Sequence, residues 1–150
     1  SLYTAREAAE ELNAKGASFT DAAQSELAVL LSAVEEIVEM SFRAFQENDL
    51  QLAYQVEPLE QVIDRLKEIL RTNHILRLQQ GECTVTVGFV WSDLLTDLER
   101  TSDHCSNVAG CVIDAMHYNL NLHESLRAVR SDDAYFKETY EQYKTKYLGA

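Results

Sequence analysis

The sequence predicts an all-α fold: an antiparallel three-helix bundle with one additional helix at each end. Three observations predict it. Apolar residues recur at steps of three and four over long stretches, the mark of helices that bury one face. Only five glycines and one proline occur in 150 residues, so little of the chain is available for loops. The breaks between the periodic stretches are short, which sets neighbouring helices antiparallel. A chain of this length makes one domain with a real core, here residues 1–150, with the bundle at 20–120 and flanking helices within 1–16 and 131–148.

Residues 4–14, TAREAAEELNA, form the first flanking helix, stopped at Gly16. From Thr20 to Asn48 the apolar positions are Leu27, Leu30, Leu31, Val34, Ile37, Val38 and Phe45, with Glu26, Glu35, Glu36 and Glu39 between them. Ser18, Thr20 and Asp21 offer N-caps, and ENDL supplies the break. The second bundle helix runs from about Asp49 to Leu78 and buries Leu52, Val56, Leu59, Ile63, Leu66 and Leu70. Pro58 lacks a backbone donor and crowds the preceding turn, so a kink or restart is expected between Val56 and Leu59.

Gly81 marks the next turn. The stretch CTVTVGFVW is β-branched and reads as a strand, yet no partner strand exists elsewhere to satisfy its backbone. Residues 83–119 are therefore one long third helix, ended by Asn119 and Asn121. The last helix, around 132–147, carries Tyr135, Phe136, Tyr140, Tyr143 and Tyr147. Such tyrosines form either the amphipathic body of a docked helix or a partner-binding face, and the first reading is favoured.

The net charge of −12 excludes nucleic acid as a partner and disfavours an anionic membrane surface. A cation is the more natural guest. Cys83, Cys105 and Cys111 have no zinc-site spacing and read as free thiols in a reducing compartment, with Cys105 and Cys111 within an apolar helical pattern. No apolar run approaches the roughly 20 residues a membrane-spanning helix needs. The chain contains no GxSxG, HExxH, P-loop or GxGxxG pattern and no Glu-x-x-His, so no catalytic residue is assigned and the protein reads as no enzyme.

The stretch SDLLTDLERTSDHCSNVA concentrates the charges. On the third helix Leu94, Leu98, Cys105, Ala109, Val112 and Met116 share the buried arc. Glu99 and Asp103 border it on one flank, Asp97 and His104 on the other, with Asp93 and Arg100 further out. On the second helix Glu60 and Asp64 lie four apart, with Glu57 close by. Like charges at this spacing repel by a few tenths of a kcal/mol, which a multivalent cation would reverse. Alternatively the acids pair with nearby bases: Arg65, Lys67 and Arg71 on one helix, Arg100 on the other. His74, His117 and His123 are scattered and read as structural or exposed.

DLERTSDHCSNVA resembles the third-helix motif of PhoU-like proteins, and VEPLEQVIDRL resembles that family's second-helix motif, in the expected order. The resemblance covers about 20–120, one three-helix repeat, although Thr101 and Ser102 stand where the family often has Ile-Gly. It looks closest to the cytoplasmic C-terminal domain of bacterial sodium/phosphate cotransporters. It implies a regulator of phosphate uptake on the cytoplasmic side of the inner membrane, with the membrane transporter portion of the same chain as its partner. The N-terminal helix would be the connection to that membrane part. It also implies a transition metal, iron or zinc, held by Glu60, Asp64, Glu99 and Asp103, with Glu57, Asp97, His104 and Arg100 around them. Asn107 would hydrogen-bond between helices. A homodimer could supply a second repeat. The alternative is a metal-free interaction module whose partner docks on the tyrosine-rich helix.

Overall fold

The computed structural model describes residues 2–118 and 122–149, with the side chains of all but Leu2, Thr4 and residues 122–133. Five helices follow one another: α1 (Leu2–Ala14), α2 (Asp21–Glu47), α3 (Leu50–Gln79), α4 (Val85–Tyr118) and α5 (Leu122–Leu148). No strand occurs among the described residues. The all-α reading holds.

Local chemistry sets the ends. Thr20 caps α2 by accepting the Ala23 N–H at 3.2 Å. At the other end Asn48 turns left-handed (φ 50°), a conformation that asparagine tolerates. Asp49 then caps α3 through the Leu52 N–H at 3.0 Å, so two residues suffice to reverse the chain. Gly81, at φ 72°, makes the α3–α4 turn, where a side chain would be strained. The β-branched stretch after it becomes helix: Thr84 accepts the Val87 N–H and Val85 begins α4.

Two boundaries differ from expectation. Pro58 neither breaks nor restarts α3, which is one helix over its whole length. Val56, Pro58 and Leu59 are all buried, and that packing carries the helix through. α5 starts at Leu122, well before the expected 131, because LHESLRAVR is rich in good helix formers although its apolar pattern is weak. The expected stop at Asn119 and Asn121 lies outside the described residues.

α2, α3 and α4 enclose the core. Leu30, Val34 and Ile37 meet Val56, Leu59, Val62 and Ile63, and Trp91, Leu94, Leu95 and Leu98 close the third side. α1 packs chiefly on α4 and buries Leu12 fully. α5 packs chiefly on α3. Its tyrosines are largely spent inside the molecule: the Tyr143 hydroxyl donates to Gln55 at 3.4 Å, and Tyr147 donates to Glu36 on α2. Burial raises the pKa of both phenols, that of Tyr143 to about 12. The docked-helix reading of these tyrosines is the one realised.

Two apolar assignments on α2 need correction. Val38 and Phe45, expected inside, are exposed, as is Phe42. The apolar stripe of α2 is wider than its neighbours cover. Cys111, expected in the apolar pattern of α4, is also exposed, whereas Cys105 is buried. All three cysteines are free thiols.

Candidate acidic seam between α3 and α4

The flank of α3 that carries Glu57, Glu60 and Asp64 lies against the flank of α4 that carries Glu99, Asp103 and Ser106. Because the helices run antiparallel, 57 faces 106, 60 faces 103 and 64 faces 99, one register along the seam. The Ser106 hydroxyl donates to Glu57. Glu60, half-buried, lies close to Asp103 on the middle rung. Lys67 bridges the last rung: its Nζ lies 2.8 Å from Asp64 Oδ1 and also donates to Glu99.

Electrostatics follow this arrangement. Burial first, then the negative charges of Glu57, Asp103 and Asp64, raise the Glu60 pKa to about 7. Burial alone would lower the pKa of Lys67, but its bonds to Asp64 and Glu99 outweigh that, and the net direction is upward. Lys67 is a buried lysine, only 7% exposed, and it is matched by acids from both helices.

The four carboxylates expected to act together are therefore neighbours across one interface. Their surroundings differ from expectation. His104, Arg100 and Asp97 are exposed, and Asp97 lines a cleft against α1 with Glu7, Glu11 and Asp93. Asn107 is exposed, and Ser106 beside it makes the interhelix bond instead. The seam does not form a metal cage as packed here. An ammonium lies between Asp64 and Glu99, and among the described residues no three His, Cys, Asp or Glu side chains converge on one point.

Sequence reading missed a second polar cluster, at the other end of the α3–α4 interface. Arg77, buried, grips Glu26 of α2 with both terminal nitrogens at 3.1 and 3.0 Å, and Asn73 adds a bond of 2.9 Å. The Arg77 guanidinium lies 5.7 Å from the centre of the Trp91 ring. His74 stacks on the same ring, and burial, with Arg77 second, lowers its pKa. His74 is thus structural, as expected. His117 bonds the Tyr54 hydroxyl at 2.7 Å, while the side chain of His123 lies outside the described residues. No local pattern announces this cluster, because Glu26 and Arg77 meet only when α2 and α3 pack.

The model of the PhoU domain matches residues 27–112, more than half of the chain and both sides of the seam. The chain belongs to the PhoU family. It is similar to the phosphate-specific transport system accessory protein PhoU homolog 1 of Thermotoga maritima, with 30% identity over 106 residues. The aligned part is 71% of this chain and 45% of that relative, so the chain spans less than half of the relative's length. No solved structure matches the chain.

One expectation is overturned here. A transporter portion of the same chain was expected as the partner of this PhoU domain. The relative is instead an accessory protein to a transport system, and no helix among the described residues is long and apolar enough to cross a membrane. α1 packs on α4 and contributes Leu12 to the core.

Proposed function

We propose that this PhoU domain is a non-catalytic regulator of phosphate uptake, acting at the cytoplasmic face of the membrane by binding a protein component of a phosphate transport system. Family membership carries this reading, supported by the name of the relative as an accessory protein. Direct binding of phosphate is disfavoured by the charge of −12 and by the acidity of the seam.

The contact surface that fits is on α2. Val38, Phe42 and Phe45 are 39%, 58% and 62% exposed and recur at steps of four and three, so they form one stripe on a regular helix. An exposed apolar stripe of this kind suits an amphipathic helix laid alongside it. Glu35 and Glu39 lie exposed near it, so the complementary segment is apolar with basic edges. Engagement there would bear on the α2–α3–α4 packing, which is how a binding event on one helix reaches the rest of the domain.

The test is phosphate uptake by cells that lack the gene, complemented with the wild type or with Phe42→Ser/Phe45→Ser. The double variant should melt like the wild type, since both side chains are exposed, yet leave uptake at the rate of the deletion strain. Identical uptake in the deletion and wild-type strains would end the proposal.

A further inference from the structure

The α3–α4 seam gathers five carboxyl groups, and one basic side chain sits among them. Lys67 emerges from α3, is almost wholly buried, and places its Nζ between Asp64 of its own helix and Glu99 of the opposite one. Of the other acids, Glu57 accepts from the Ser106 hydroxyl, and Glu60 and Asp103 have no cation beside them among the described residues. A transition or alkaline-earth ion needs four or more donors converging at about 2.0 to 2.6 Å, and would have to draw these side chains together and expel the ammonium to obtain them. A lysine on a four-carbon stem is also always present, whatever the metal supply.

We infer that Lys67 is the resident cation of the seam, and that this PhoU domain closes its acidic edge with its own ammonium in place of a metal ion. The seam is then a divalent-cation site only in latent form. Removing the ammonium while leaving the carboxylates exposes oxygen donors from both helices with no positive charge between them. A hard divalent cation is the ligand chemistry that such a set accepts.

The experiment compares thermal melts of the whole chain in manganese(II) chloride and in EDTA, for the wild type, Lys67→Met, Lys67→Arg and Lys67→Met/Glu99→Gln. The wild type and Lys67→Arg should melt at the same temperature in both solutions. Lys67→Met should melt about 5 °C or more lower in EDTA, as expected when a buried charge partner is lost from a domain of this size, and should recover part of that loss with manganese. In the double variant the EDTA melt should move back up and the response to manganese should vanish. A wild-type melt that falls in EDTA would overturn the inference, because a metal would then hold the seam. A Lys67→Met protein that melts like the wild type, or is indifferent to manganese, would overturn it too, because the seam would then need no cation. Should Lys67→Met fail to fold in EDTA, the wild-type and Lys67→Arg melts still decide whether metal is needed.

Discussion

The two polar clusters of the bundle solve the same problem in opposite ways. At one end Glu26, half-buried, and Arg77, buried against Trp91, meet as a two-pronged ion pair with one charge of each sign. In the seam, five carboxyl groups share one lysine, and burial among the other acids raises the Glu60 pKa to about 7. The first cluster is balanced by fixed charge. The second is balanced partly by a proton, so its energy depends on the solution around it. A buried balanced pair is costly to break but indifferent to mild changes of pH, whereas an over-acidic seam responds to protons.

Breaking the balanced cluster should produce the largest effect. Arg77→Ala leaves Glu26 without its cation, and chemical denaturation should show a loss of about 3 kcal/mol. Next comes Gly88→Ala. A methyl there would stand 2.9 Å from His74 Nε2, so the imidazole stacked on Trp91 must shift, at a cost of about 1 to 2 kcal/mol by the same assay.

The seam should behave differently. Glu60 has a folded pKa of about 7 against an ordinary value of 4.5, so the folded chain holds a proton between those pH values that the unfolded chain has released. Stability should therefore be greatest toward pH 5 and fall as pH rises through 7. Glu60→Gln should remove that slope. It should stabilise by about 1 kcal/mol at pH 8, after discounting for the partial exposure of the group, and change little at pH 5. His74 acts in the opposite sense: its pKa is lowered in the fold, so its contribution is present above its ordinary value and lost as pH falls. The smallest effect should come from Ser106→Ala, a loss of about 0.5 kcal/mol or less for one hydrogen bond to an exposed carboxylate.

The same contrast shows what the sequence could reveal. The carboxylates of the seam were legible because helical spacing put Glu60 with Asp64 and Glu99 with Asp103, and antiparallel packing then joined the pairs. Lys67 was visible as a nearby base, but its reach from Asp64 across to Glu99 depends on the distance between the helices, which periodicity does not contain. The Glu26–Arg77 pair was invisible for the same reason, being wholly tertiary. Val38 and Phe45 followed the apolar period yet lie outside, since period alone does not say how wide a stripe the neighbours cover. The tyrosines of α5 were read correctly as a docked face. Pro58 does not restart the helix, because its burial among core residues outweighs one missing backbone donor.

The most direct test of the account is the metal content of untagged protein purified without chelator, measured by mass spectrometry beside Glu60→Gln/Asp64→Asn/Glu99→Gln/Asp103→Asn. With Lys67 as the seam's cation, the wild type should carry well under one equivalent of any transition metal, no more than the variant. One or more equivalents of iron or zinc in the wild type, absent from the variant, would contradict it and make the seam a metal centre.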